Sequence, residues 1–457
     1  MAENKLKKAR QNELFQMASQ NFYHKLSTSQ NSQERIKLEK KYKSILKERL
    51  ELAPLVSYQG NKAIPLIRLY RYKEAFSFEL VKKFLKEFNA SSSDYVFDPF
   101  CGMGTTLLTS MSQRIPSIGI DLLPLAVFIA KTFLLFLQLP ENTNLEQLAD
   151  SIISRSKKLQ PAPIAEEVKI IKLAFSSDTL QKLRKLKAAI AELESPFKEI
   201  FTFLLFSILE DTSYTSKDGQ FLRLKLNKKI KNPLQEFKNK ARGAQQDLIR
   251  FRHFLRLNSN QIKEYLPEIY EADSRNLSEI PFKKPPTIVI TSPPYANRYD
   301  YTRSYALELC FEFVKSFEEL KDIRGRILRS HIESKITEKD LPPHPALEEI
   351  IANLNNKKLN NPKIPDMLIG YFCDMEKCLK EWNQILAKGA QVALVVDNVR
   401  FEGEMVPVDL ILSDLAEKNG FQIQKIIVAR YKGNSSQQMK KYGRVPVRES
   451  IIIWRKK

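Results

Sequence analysis

The chain is poor in the residues that build covalent or metal-held frameworks. Four cysteines, Cys101, Cys310, Cys373 and Cys378, stand among 457 residues, and none form a Cys-x-x-Cys pair. That is too few for a disulfide scaffold and the wrong spacing for a thiolate zinc site, so a reducing cytoplasm is the expected setting. His24, His253, His331 and His344 are scattered, and no metal is implied. Long apolar runs are also missing. The longest, Pro124 to Pro140, is broken by Lys131 and Gln138 and falls short of the roughly 20 residues a membrane span needs. The opening MAENKLKKARQNELF has charge but no apolar centre, so no secretory signal is expected. Glycine is scarce, 13 in 457, against a usual share of about 7%. A Gly-x-Gly pair therefore carries more weight here than in most chains.

What the chain has in excess is positive charge. Lys and Arg number 74 against 53 Asp and Glu, a formal net charge of +21. A surplus of this size points to a polyanion, and nucleic acid is the commonest one, because each neutralised phosphate releases counterions. Between Lys217 and Leu257, twelve Lys and Arg meet three acids. Such concentration suggests a surface that tracks a phosphate backbone, with Lys228, Lys229, Lys231, Lys238, Lys240 and Arg242 as candidate contacts. Hydrophobic residues make up 43%, enough for a sizeable core, which excludes a disordered chain.

The length suggests roughly two or three domains, or one enzyme core with a large insertion. Residues 1–55 read as a basic, helix-favouring N-terminal extension. Residues 66–88 end in a helix with Phe78, Val81 and Leu85 on one face. Residues 94–140 form a β-α-β pattern: DYVFD, the glycine turn PFCGMGTT, helix LLTSMSQR, strand SIGID, helix PLAVFIAKTFLLFL. Helical periodicity then runs to Leu209 and on into the basic segment, so 141–261 is read as a helical basic insertion. Strands resume near Tyr270 with TIVIT, QVALVV, IQKIIVARY and ESIIIW. The last two leave no room for a helix between them and predict an antiparallel pair. The whole predicts an α/β fold with a doubly wound, mostly parallel sheet built from 56–140 and 262–457, with ligands at the carboxyl ends of its strands.

The first chemical motif is Asp98-Pro99-Phe100-Cys101-Gly102-Met103-Gly104 at a strand-to-helix turn. Its glycines let a backbone approach a ligand closely, and the helix start offers free N–H groups. Thr105 or Thr106 is placed to cap that helix. Asp121 closes the next strand, where a carboxylate accepts hydrogen bonds from ribose hydroxyls. There is no GxGxxG and no Walker lysine, which disfavours a dinucleotide or a triphosphate.

The second motif, Ser292-Pro293-Pro294-Tyr295, follows the apolar strand Thr287-Ile-Val-Ile. Two prolines donate no backbone hydrogen bond and fix φ, so their carbonyls are held rigidly. With a serine hydroxyl and an aromatic face beside them, they suit a planar group bearing an exocyclic amine. The hydroxyl and a proline carbonyl accept the two amine hydrogens, which localises the nitrogen lone pair and makes a poor nucleophile a better one.

Together the motifs resemble the S-adenosylmethionine-dependent DNA amino-methyltransferases, which have a seven-stranded Rossmann-like sheet. Ser first in the tetrapeptide is similar to the cytosine-N4 branch; adenine-N6 enzymes more often carry Asp or Asn there. The resemblance covers most of 66–140 and 262–457. It implies that Phe76 and Ser77 lie near the methionine part of the cofactor, and that Asp98, Pro99, Phe100, Gly102, Gly104 and Thr105 form its loop. It further implies that Asp121 binds the ribose, Asp273 the adenine edge, and Ser292 to Tyr295 the target base. Arg303, in NRYDYTRSYALEL, resembles part of a lid or strand-separating loop. Asn434, Ser435, Gln437 and Gln438 resemble base or phosphate contacts.

The implied substrate is a cytosine flipped out of duplex DNA, and no Pro-Cys dipeptide of the carbon-5 methylating kind is present. Either 141–261 or about 318–366 is the candidate sequence-reading region. A cognate restriction endonuclease is the candidate protein partner, in a bacterial or archaeal cytoplasm close to the nucleoid, with monomer or dimer open and no membrane. Three alternatives stay open: adenine-N6 methylation, an RNA amino-methyltransferase, and a catalytically silent nucleic-acid-binding protein on the same scaffold.

Overall fold

A computed structural model of the protein describes residues 32–140, 142–218, 221–338, 340–433, 440–443 and 445–457. Asn434, Ser435, Gln437 and Gln438, the proposed terminal contacts, lie outside these residues, as does the start of the N-terminal extension. The strands are β1 (Leu46–Glu48), β2 (Val96–Asp98), β3 (Ser117–Asp121), β4 (Thr215–Asp218), β5 (Phe221–Leu224), β6 (Glu268–Glu271), β7 (Ile288–Thr291), β8 (Gln391–Asp397), β9 (Val399–Phe401), β10 (Glu404–Val406), β11 (Phe421–Lys432) and β12 (Val447–Lys456). The architecture is Rossmann-like α/β, in two compact units. One comprises residues 1–56, 274–299 and 328–457, and the other 57–273 and 300–327.

In the second unit β2, β3 and β6 run parallel, with Asp98 level with Gly119 and Asp121 level with Glu271. The β2–helix–β3 run is the β-α-β pattern read from the sequence, with helix Thr105–Ser112 between the strands. The longest apolar stretch is helix Pro124–Gln138. It is apolar on nearly every side because it packs between strands β3 and β6 and a layer of helices. Phe133 meets Phe203 edge-on and Phe251 at a tilt, from helices 197–209 and 233–255 of the region expected to be an insertion. Helix Pro233–Leu255 starts at Asn232, whose side chain accepts from the Leu234 and Gln235 N–H groups. It buries Phe237, Ala241, Ala244, Leu248, Phe251 and Leu255, a stripe at helical spacing. That insertion was expected to be helical, yet Thr215–Asp218 and Phe221–Leu224 pair as antiparallel strands β4 and β5.

In the first unit the strand order is β1-β11-β12-β8-β7. β7 and β8 are parallel, continuous apolar runs buried on both faces, as parallel strands are. β12 is antiparallel to both β11 and β8, which bears out the expected closing pair. Among the described residues, β1 is an edge strand that was not expected. Leu46–Glu48 belongs to a stretch read as helix; pairing with Ile426–Val428 of β11 overrides its local propensity.

Alternation along β12 sends Arg448 and Ser450 to one face and Glu449 to the other. Arg448 is buried and meets Asp409 at 3.0 Å and Glu39 at 2.9 Å. Glu39 lies on helix Gln33–Tyr42, so this ion pair ties the described part of the N-terminal extension to the core. Arg35, on the same helix, meets Glu349 at 2.7 Å and Glu404 at 2.9 Å. Arg448→Ala leaves two buried carboxylates facing each other. It is expected to cost about 3 kcal/mol of stability in urea unfolding; a loss below about 0.5 kcal/mol would contradict this role.

Candidate active site

The glycine turn is built around two carboxylates. Asp98, buried at the end of β2, accepts the Phe100 N–H through Oδ1 at 3.1 Å. Asp121 accepts the Gly102 N–H through Oδ2 and the Leu123 N–H through Oδ1, both at 2.9 Å. The turn is therefore stapled to the end of β3. Gly102 and Gly104 have φ of 51° and 85°, a region that L side chains rarely adopt. A Cβ on Gly102 would approach the Tyr72 ring to 3.3 Å, and one on Gly104 the Ala130 Cβ to 3.3 Å. Here the glycines serve both conformation and close approach.

The expected helix cap is corrected. Gly104 is the capping residue, in left-handed conformation, and helix Thr105–Ser112 begins with Thr105 already inside it. The Thr105 hydroxyl is buried with no hydrogen-bond partner, so it is left for a ligand. Asp273 lies just past β6, where the Ala272 N–H donates to the Asp121 carbonyl at 3.1 Å. Asp98, Gly102, Gly104, Asp121 and Asp273 thus gather at the carboxyl ends of three parallel strands.

Ser77 uses its hydroxyl to cap helix Phe78–Glu87, accepting the Leu80 N–H at 3.2 Å. Phe76 is buried, and its carbonyl accepts from Asn61 at 2.9 Å. Tyr72 was missed by the sequence reading. Its ring flanks Gly102 and stacks on Tyr305 at 5.2 Å. The aromatic-rich RLYRY run was the available signal.

A nucleoside cofactor fits this set. The turn has space that a single Cβ would fill, an unmet hydroxyl at Thr105, and carboxylate lone pairs at Asp121 beyond those already used. Burial pushes the Asp121 carboxyl up to about 6, against the lowering effect of its backbone N–H bonds.

In the other unit, Ser292 to Tyr295 leave the carboxyl end of β7. Thr291 is level with Leu394 of β8, so Asp397 and Asn398 end the neighbouring strand three residues further on. The Tyr295 hydroxyl donates to Glu449 Oε1 at 3.0 Å. Burial and the nearby Glu449 and Asp397 carboxylates hold that phenol well above its ordinary range.

Lys432 bridges Asp397 at 3.0 Å and Glu449 at 2.9 Å, and its ammonium lies 5.6 Å from the Tyr295 ring centre. Arg430 also pairs with Glu449. Burial, opposed by Lys432, pushes Asp397 up to about 7. Asp397 Oδ1 is buried without a hydrogen-bond partner; Asn398 accepts the Asp409 N–H through Oδ1 at 3.0 Å and leaves its buried Nδ2 unmet. Sequence reading did not find Glu449, Arg430 or Lys432, whose only signal was charge inside apolar strands.

The candidate DNA cations are mostly engaged. Lys228 binds the Glu210 and Thr215 carbonyls, and Lys240 the Leu69 carbonyl. Lys231 pairs with Asp211 and Glu236, Lys238 with Asp150, and Arg242 with Glu146. Lys229 is exposed. Arg303 pairs with Asp300, which caps the short helix Tyr301–Ser304, so the segment compared with a lid or strand-separating loop holds a short helix there.

Residues 3–132 match a family model described as DNA methylase. Type II methyltransferase M.BsoBI of Geobacillus stearothermophilus is 35% identical over 481 aligned residues, covering 93% of this chain and 92% of that protein. Type II methyltransferase M.AvaI of Nostoc sp. PCC 7120 is 31% identical over 437 residues, covering 88% and 89%. Type II methyltransferase M.MjaII of Methanocaldococcus jannaschii is 45% identical over 64 residues, covering 14% and 12%.

A carboxylate accepts from ribose hydroxyls better than a neutral acid does. S-adenosylmethionine affinity should therefore weaken as pH falls through about 6, where Asp121 gains its proton. Isothermal titration from pH 8 to pH 5 reads this. Asp121→Asn should bind more weakly at pH 8 and lose the dependence, and a wild-type profile in that variant would exclude Asp121 as its source.

Proposed function

The chain belongs to the N6/N4 DNA methylases and uses S-adenosylmethionine to methylate DNA, and from that premise we propose that its product is N4-methylcytosine. The single observation that carries the choice of base is Ser292 ahead of the proline pair. A neutral hydroxyl on a rigid strand end accepts one amine hydrogen while the Pro293 carbonyl accepts the other.

S-adenosylmethionine supplies a methyl group made electrophilic by its sulfonium. Asp121 would hold its ribose, Asp273 its adenine edge, and the turn from Asp98 to Thr105 its remainder, with Phe76 and Ser77 near the methionine end. The protein's part in the chemistry is to unstack a cytosine, at a cost of a few kcal/mol, and to present its amine. Tyr295 stacks on the base. Ser292 and Pro293 draw the amine hydrogens out of the ring plane, so the lone pair faces the incoming methyl. The transient ammonium develops near carboxylates rather than bare cations, because Glu449 and Asp397 surround Lys432.

Duplex DNA is gripped through phosphates by the cations that remain exposed, Arg223, Lys229 and Arg250 among them. A cognate restriction endonuclease acting at the same site, in a bacterial or archaeal cytoplasm, belongs to the same proposal. Among the described residues no helix is long and apolar enough to cross a membrane.

Transfer of labelled methyl from S-adenosylmethionine to duplex DNA tests the site. Ser292→Ala and Tyr295→Ala are each expected to slow turnover by about a hundredfold, with cofactor affinity within about twofold of wild type. Wild-type rates in both variants would remove the base-gripping role.

A further inference from the structure

Glu449 does more than balance charge inside the sheet. It sits near the start of β12, cross-strand from Asp397 on β8 and from Arg430 on β11. A register shift between Val428 and Arg430 sets Arg430 opposite it, the kind of local irregularity that re-aims a side chain. Its carboxylate is buried, with about 1% of its surface exposed. Arg430 takes one oxygen, while Lys432 and the Tyr295 hydroxyl share the other.

Two cations would satisfy a carboxylate placed only for stability. The third contact runs to the aromatic residue of the proline tetrapeptide. A phenol that donates to Glu449 keeps its own oxygen lone pairs as acceptors. Ser292 opens the same tetrapeptide, three residues before that phenol.

We propose that Glu449 is a positioning residue for methyl transfer. By accepting the Tyr295 phenol proton it fixes the plane of the ring that stacks on the target base. This rests on the base-gripping role given to Ser292 and Tyr295. Arg430 and Lys432 hold Glu449 in turn, so the order of dependence runs from the cations to the carboxylate and the phenol.

The test is a double-mutant cycle on DNA methylation, with wild type as the internal control. Tyr295→Phe keeps the ring and removes only the bond to Glu449. It is expected to lower kcat about tenfold, the worth of one hydrogen bond to a charged group, with KM for DNA within about threefold of wild type. Glu449→Ala should lose a similar factor, and the double variant should be no slower than the worse single. Glu449→Gln, whose amide oxygen still accepts the phenol proton, should recover to within about threefold of wild type.

Glu449→Ala leaves Arg430 and Lys432 without their shared carboxylate. If it fails to fold, Tyr295→Phe and Glu449→Gln alone decide. A kcat in Tyr295→Phe equal to wild type overturns the proposal, as does Glu449→Gln as slow as Tyr295→Phe, or losses that multiply in the double variant. A wild-type chain that transfers no methyl to DNA overturns the function reading and this inference together, whereas an active wild type with unaffected variants overturns the inference alone.

Discussion

Between Ser292 and Tyr295 the backbone has no N–H to give. Pro293 and Pro294 both lack one and both hold φ near a single value, so the segment leaving β7 can neither pair with a neighbouring strand nor relax into a helix. A buried parallel strand therefore ends in a segment whose carbonyls and hydroxyl can accept but whose prolines cannot donate. That shortage of donors is what the rest of the first unit is arranged around. Tyr295 is anchored through its hydroxyl to Glu449, Glu449 is held by Arg430 and Lys432, and Lys432 reaches on to Asp397. The acceptors are left for a group from outside, and an exocyclic amine with two hydrogens is the complementary shape.

The cofactor side solves the opposite problem. A glycine turn at a strand end has surplus N–H groups, and carboxylates absorb some of them. Asp98 and Asp121 each take one, and Asp121 takes a second from Leu123 beyond its own strand. In the proposed function the same Asp121 also accepts from a ribose, so its burial and raised proton affinity bear on cofactor binding. Between Lys217 and Leu257, Lys228 and Lys240 point at carbonyls, and Lys231, Lys238 and Arg242 each have an acidic neighbour at the surface.

How much of this was legible follows from how local each signal is. The strands ending at Asp98, Asp121 and Thr291 could be read because apolar runs stop abruptly at glycine or proline. The turn from Asp98 to Gly104 and the tetrapeptide at Ser292 were legible because each lies within seven consecutive residues. The closing β11–β12 pair was legible from the shortness of its connection. β1 was not, since LKE has no strand propensity and is held only by the exposed edge of β11. The Gly104 cap was not, because a left-handed residue leaves no side chain to recognise. The Glu449 cluster was least accessible: Tyr295, Asp397, Arg430, Lys432 and Glu449 are spread over more than 150 residues, and only pairing across three strands brings them together.

The claim on which everything else depends is that Ser292, the prolines and Tyr295 act on the exocyclic amine of cytosine. The most direct measurement is to methylate duplex DNA with the purified chain, digest it to nucleosides and identify the modified one by mass and chromatographic standard. The account predicts N4-methylcytosine. N6-methyladenine as the product would contradict it, and so would DNA recovered with no methylated base.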